Sequence, residues 1–381
     1  MKIVIAPDSY KESLSATEVA QAIEKGFREI FPDALYVSVP VADGGEGTVE
    51  AMIAATHGTE QHAVVTGPLG EKVNACWGMS GDGLTAFIEM AAASGLALVP
   101  PAQRNPLVTT SRGTGELILS ALDKGARNII IGIGGSSTND GGAGMMQALG
   151  AKLCDANGKA IGYGGGSLMT LNSIDVSGLD PRLKACTIRV ACDVTNPLVG
   201  DKGASRIFGP QKGADEGMIL ELDANLSHYA DVIKSALRID VKNVPGAGAA
   251  GGMGAALMAF LGAELRSGIE IVTQALNLEE HIHDCTWVLT GEGRLDSQSI
   301  HGKVPVGVAN VAKKYHKPVI GIAGSLTNDV GVVHQYGIDA VFSVLTSIGS
   351  LEEAFRGAFD NIYRASRNIA ATLQMGMRTQ G

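Results

Sequence analysis

Residues 2–6, Lys-Ile-Val-Ile-Ala, are a short apolar run that predicts a buried strand. The rhythm then lengthens. Val19, Ala22, Ile23, Phe27, Ile30 and Phe31 fall on one face at helical spacing. Ser15 and Glu18 stand ahead of them as a capping box. Residues 35–41 read as the next strand and 44–56 lead into a second helix. The same alternation returns near the other end, with strand 286–290, helix 304–316 and strand 319–323. A short helix near 328–335, strand 340–344 and a final helix over about 350–373 complete it. On that last helix Leu351, Ala354, Phe355, Ala358, Ile362 and Ile369 share the face expected to be buried.

The middle of the chain has a different texture. Short β-like runs at 62–65, 73–77 and 84–90 are broken by glycine. Helix 116–122 and strand 128–133 follow, and then long Gly-rich loops. A chain of 381 residues is long enough for two domains. We expect a two-domain α/β protein. A discontinuous, mostly parallel Rossmann-like sheet domain would be formed by 1–66 plus 286–381, with a large α/β domain, 67–285, inserted. Two consecutive domains split near residue 150 are the alternative. No internal repeat or low-complexity linker is seen.

Composition narrows the function. The hydrophobic fraction of 45% supports a real core, while 51 glycines and only 4% aromatics suggest close backbone packing and many loops near ligands. The net charge of −9 argues against nucleic acid or an anionic membrane as partner. No charged start followed by an apolar stretch marks a signal peptide, and no apolar run approaches the roughly 20 residues of a spanning helix. The five cysteines are scattered without a Cys-x-x-Cys pair, which predicts reduced thiols and a cytoplasmic protein.

Four polar clusters, the last three Gly-rich, each follow an apolar strand: 7–15, 42–48, 134–142 and 290–303. In open α/β sheets the ligand site lies beyond the carboxyl ends of strands, so such clusters converge. The last of them, Thr290-Gly-Glu-Gly-Arg-Leu-Asp-Ser-Gln-Ser-Ile-His-Gly-Lys303, carries Glu292, Asp296, Arg294 and Lys303 on a turn suited to a polyanion and its metal. Ser136, Ser137 and Thr138 precede a predicted helix, 142–149, a position suited to anion binding; Asp140 could instead cap that helix, and both readings can hold. Asp193 and Asn196 follow strand 188–192 and suit a metal or substrate hydroxyl, or an Asx-turn. Gly246-Ala-Gly-Ala-Ala-Gly251 matches a dinucleotide fingerprint, but no strong strand precedes it, so close helix packing is the better reading. His281-Ile-His-Asp-Cys285 lacks zinc-like spacing and reads as structural. Neither a P-loop nor a kinase-type His-Arg-Asp loop is present.

Taken together, Ala6-Pro-Asp-Ser-Tyr-Lys-Glu-Ser-Leu-Ser-Ala16, Ala42-Asp-Gly-Gly-Glu-Gly-Thr48, Gly134-Gly-Ser-Ser-Thr-Asn-Asp-Gly-Gly142 and Thr290-Gly-Glu-Gly-Arg-Leu-Asp-Ser-Gln-Ser resemble the bacterial glycerate kinase type 1 family over about residues 1–375. The likeness is greatest to its enterobacterial glycerate 2-kinase members. It implies Mg²⁺-dependent transfer of the γ-phosphoryl of ATP to D-glycerate, giving 2-phosphoglycerate. It also implies two α/β domains with the active site in the cleft between them. Physical chemistry alone reaches only an anion and metal site in an α/β cleft.

The expected catalytic residues are Asp8, Lys11, Asp193, Arg294 and Lys303. Asp43, Gly44, Gly45, Glu46, Ser136, Ser137, Thr138, Asn196, Lys212 and Gly291 are expected to bind substrate or nucleotide, and Glu292 and Asp296 the metal. D-glycerate and ATP are the expected small-molecule partners, with neither nucleic acid nor membrane, and with a homo-oligomer as one possible assembly. The alternatives are an NAD-dependent dehydrogenase of a small hydroxy acid, resting on 246–251, and a non-catalytic small-acid binding protein.

Overall fold

The computed structural model describes residues 1–45, 47–300, 302–345 and 349–378. Among them the strands are, in chain order, β1 (Lys2–Ile5), β2 (Leu35–Ser38), β3 (Thr59–Thr66), β4 (Lys72–Met79), β5 (Thr85–Glu89), β6 (Asn128–Gly132), β7 (Lys152–Cys154), β8 (Ser173–Asp175), β9 (Thr187–Ala191), β10 (Glu264–Arg266), β11 (Trp287–Leu295), β12 (Val319–Leu326) and β13 (Ala340–Ser343). The chain divides into two compact units, Met1–Asp43 with Glu50–Thr56 and Gly268–Gly381, and Gly44–Val49 with His57–Ser267.

The first unit is built on a parallel sheet of order β13-β12-β11-β1-β2, so strands from both ends of the chain share it. Ile3, Val4 and Ile5 of β1 are fully buried. A central parallel strand is covered on both faces, which is why its sequence is continuously apolar rather than alternating. The helix Ala16–Arg28 begins with the capping box: Glu18 N donates to Ser15 Oγ at 3.3 Å and Ser15 N donates to Glu18 Oε2 at 2.9 Å. Its apolar stripe, including Val19, Ile23 and Phe27, packs with Ile362 and Ile369 of the helix Ala358–Arg378. Gly26 permits that packing, because a Cβ there would lie 2.5 Å from Tyr363 O.

The second unit has a mixed sheet of order β10-β9-β6-β5-β4-β3. β3, β4 and β5 are antiparallel neighbours; β5, β6, β9 and β10 are parallel. Its core includes Trp77, Ile88, Ile129, Ile131 and Val190.

Several sequence expectations need correction. Residues 57–66 do not belong with the first unit, because β3 pairs along its whole length with β4. Residues 268–285 lie in the first unit instead. There Ile269 packs on Gly307 of the helix Val304–Lys314, where a glycine Cβ would come within 2.0 Å of it. β11 does not stop at residue 290; it runs on to Leu295, with Arg294 opposite Ser325 of β12. The final helix is broken at Gly357 into Leu351–Arg356 and Ala358–Arg378, and Leu351, expected on the buried face, is 69% exposed. All five cysteines are free thiols. Among the described residues no helix is long and apolar enough to cross a membrane.

Candidate active site

The β1–β11 ladder continues past the end of β1. Ala6 N donates to Leu289 O at 2.7 Å, and Asp8 N donates to Gly291 O at 2.8 Å. This carries Asp8 to the carboxyl ends of the parallel strands, the usual place for a ligand in an open α/β sheet. The turn that follows is pinned from below by Tyr10, whose hydroxyl donates to Ile322 O of β12 at 2.7 Å. It closes on itself where Tyr10 N donates to Leu14 O at 2.8 Å. Ser9 N donates to Asp8 Oδ1 at 2.7 Å.

Beside it, the far half of β11 holds the acid and cation cluster. Gly291 was expected to touch ligand, but it has a packing reason of its own. A Cβ there would lie 1.9 Å from Ile322 O, so only glycine lets β11 and β12 approach this closely. Glu292 is nearly buried and accepts from Ser299 Oγ at 2.6 Å. Lys303 Nζ lies 3.3 Å from Glu292 Oε2 and 3.9 Å from Asp296 Oδ1, and Arg294 Nε lies 3.3 Å from Asp296 Oδ2. Asp296 also accepts from Gln298 N at 2.9 Å. Lys303 is the N-cap of the helix Val304–Lys314, which has proline in its first turn and no side-chain cap.

Electrostatics single out Asp8. Burial pushes its carboxyl up to about 7, and repulsion from Asp43 and Glu292 adds to the rise, against the Ser9 N–H and Lys11. Glu292 is also raised, first by burial, while Ser299 and Lys303 oppose the shift. Asp8, Lys11, Asp43, Glu292, Arg294 and Lys303 all line one cavity of about 1430 Å³. A carboxyl that titrates near neutrality, facing other acids and flanked by cations, can accept a proton while charged ligands are held around it. Among the described residues, no group of three or more His, Cys, Asp or Glu side chains is arranged to hold a metal by itself.

The remaining expected residues lie in the second unit. Ser137 is buried; its N–H and Oγ both reach Ser94 O, at 3.0 and 2.9 Å, and its carbonyl accepts from Thr109 Oγ1 at 2.8 Å. Thr138 O accepts from Lys212 Nζ at 2.6 Å, and Ser136 forms a bridge with Gly95. The helix Ala143–Ala148 starts on a carboxylate from its own chain: Gly142 N and Gly144 N donate to Asp140 at 3.0 and 3.3 Å. Asp140 also accepts from Ser111 N and Oγ, at 2.9 and 2.8 Å. Asp140 thus accepts from the first turn of that helix, whose N-cap residue is Gly142, and Ser137 is bonded within its own unit. Lys212, expected to bind ligand, is 1% exposed, and burial pulls its ammonium down to about 7 although Asp140 attracts it.

Asn196 braces its loop by donating from Nδ2 to Lys202 O at 2.8 Å and accepting from Gly248 N at 3.0 Å. Asp193 is exposed just beyond β9. Gly44 and Gly45 belong to the second unit, where Gly44 O lies 2.5 Å from where a Cβ on Gly132 would be. Glu46 lies outside the described residues. The Gly246–Gly251 run serves packing: a Cβ on Gly248 would meet Pro197 O at 2.2 Å, and one on Gly251 would meet Thr138 O at 2.0 Å.

Sequence reasoning did not single out Tyr10 or Ser299 as supports, nor residues 344–345 and 349–361 as contributing to the lining of the cavity. Ser299 stands inside the 290–303 cluster, and its hydroxyl was the available signal. Residues 344–361 carried only a helical pattern.

The glycerate kinase family model matches residues 3–374. The chain is 86% identical to the glycerate 2-kinase of Escherichia coli (strain K12) over 381 residues, all of both chains. It is 58% identical to the glycerate kinase of Bacillus subtilis (strain 168) over 375 residues, 98% of each. A solved structure from Salmonella typhimurium LT2 under the name glycerate kinase 2 superposes with a TM-score of 0.93 at 65% identity, covering 99% of each chain. With matches of this extent, the chain belongs to the glycerate kinase family.

Proposed function

We propose that this chain is the kinase that transfers the γ-phosphoryl group of ATP to D-glycerate, giving 2-phosphoglycerate and ADP. The observation that carries the reading is Asp8, half-buried near Asp43 and Glu292 in a cavity that also holds Lys11, Arg294 and Lys303. A carboxyl near 7 is well matched to taking the proton of a substrate hydroxyl at neutral pH. In this reading Asp8 accepts that proton as the hydroxyl oxygen bonds to the γ-phosphorus and the bond to the ADP oxygen breaks in line. Lys11, Arg294 and Lys303 hold the glycerate carboxylate and the phosphate oxygens. They stabilise the charge that spreads as the phosphoryl group loosens.

No three acids among the described residues are arranged to hold a metal by themselves, so Mg²⁺ would arrive on the phosphates of ATP, with Asp43 and Glu292 offering hard carboxylate oxygens to it. Asp43 and Glu292 would hold the ion, which when bound neutralises phosphate charge. Asp296, first assigned to the metal, is tied to Gln298 N, Arg294 and Lys303, so its role here is to position two cations. A steady-state assay of ADP release tests the reading. Turnover that needs both ATP and D-glycerate is the expected result. Nicotinamide-dependent turnover, or glycerate binding without ADP release, would overturn it.

A further inference from the structure

The cavity of the first unit has two chemically different sides. One carries the acids and cations around Asp8. The other carries the apolar side chains of Val344, Leu345, Leu351, Ala354 and Phe355, interspersed with Ser350, Glu353 and Asn361. Leu345 is 51% exposed and Leu351 69% exposed, so this wall is not covered by the protein itself. Glycerate has three carbons, a carboxylate and two hydroxyls, and nothing in it matches an apolar wall. It would also leave most of about 1430 Å³ unused.

Resting on the reading above, we propose that the apolar side chains of Val344, Leu345, Leu351, Ala354 and Phe355 seat the nucleotide's base and ribose, with the triphosphate running from them toward Lys11, Arg294 and Lys303. The base is the one part of the two substrates with flat apolar faces, and pockets for such groups are lined by aliphatic and aromatic side chains with polar groups at one end. The wall and the cations belong to the same cavity, so both ends of a nucleoside triphosphate meet complementary chemistry there. The serine run of the second unit is a poorer candidate. Its hydroxyl and N–H groups at Ser137 are spent on Ser94, and the helix that follows already holds the Asp140 carboxylate at its start.

The test is a fluorescence titration with mant-ATP on the wild-type chain and on Leu345→Ser/Leu351→Ser. Both leucines are exposed, so the fold should tolerate the change, and a Leu351→Ala single variant with a thermal melt controls for unfolding. The expected result is affinity weaker by about tenfold or more in the double variant, an intermediate loss in Leu351→Ala, and unchanged melts. Activity assays on the same proteins should show a raised KM for ATP with the KM for D-glycerate nearly unchanged. Equal mant-ATP affinity in wild type and double variant overturns the assignment of the wall. If the wild type still phosphorylates D-glycerate in that case, the proposed function stands while this inference falls. Failure of the wild type to bind mant-ATP at all would overturn both.

Discussion

Lys303 Nζ stands 3.3 Å from Glu292 Oε2, on the first helix cap after β11, and bridges on to Asp296 at 3.9 Å. The pair brings a cation and an acid to the lining of one cavity. A cation aimed at a transferring phosphoryl group contributes to rate. Lys303→Ala and Arg294→Ala should each lower kcat/KM by at least about 10²-fold, roughly 2.7 kcal/mol, while the melting temperature hardly moves. Steady-state kinetics beside a thermal melt checks this. Near-wild-type turnover in both variants would remove the 290–303 segment from the site.

Asp8→Asn should abolish turnover and yet stabilise the protein at high pH. The folded carboxyl sits at about 7, above its ordinary 3.8. The native state therefore holds the proton more tightly than the unfolded chain. The associated stability is complete below about pH 4 and is lost as pH rises through 7. The asparagine removes that loss. Melts in chelator should show the variant above wild type at pH 8 and close to it near pH 4; a variant that melts lower at pH 8 would contradict the buried-charge account.

Lys212 carries the opposite sign. Burial lowers its ammonium from 10.5 to about 7, so between those values the unfolded chain binds the proton and the native state does not. Stability contributed by this group rises with pH across that window. Lys212→Met takes the buried donor from Thr138 O at a cost of about 1–3 kcal/mol and at the same time relieves the pH-dependent cost of burying the amine. The wild-type minus variant difference in melting temperature should grow from pH 7 to pH 9.5. A difference independent of pH would mean that the lysine is charged throughout.

Gly291→Ala tests the packing reason given for that glycine. Its Cβ would lie 1.9 Å from Ile322 O, a backbone atom that cannot rotate away. A cost of about 2 kcal/mol or more is expected. Gly331→Ala meets no heavy atom within 4 Å and is the control. Equal melting temperatures for the two variants would sink the argument.

How much of this was legible in the chain follows from what each signal depends on. The capping box at Ser15 and Glu18 and the buried run Ile3–Ile5 rest on neighbours a few residues apart, and the structure has them as read. Glu292 was placed on a turn because glycines at 291 and 293 resemble turn residues. Gly291 instead lets β11 lie close against β12, a contact the local pattern does not encode. Leu351 fitted a helical stripe, but the break at Gly357 sets it on a separate short helix. Ser137 had the right chemistry for an anion and Asp140 for a helix cap. Their partners, Ser94 and Ser111, are distant in sequence and could not be paired from one chain. Asp8 was picked out by type and position, while its displacement toward neutrality needed the positions of Asp43 and Glu292.

The most direct test of the central claim is phosphorus NMR of the product formed from ATP and D-glycerate by the wild-type chain and by Asp8→Asn. The account predicts a phosphomonoester signal identical to 2-phosphoglycerate, growing in step with ADP, and neither signal with the variant. A 3-phosphoglycerate signal would contradict the assigned acceptor hydroxyl. Full product formation by Asp8→Asn would contradict the site itself.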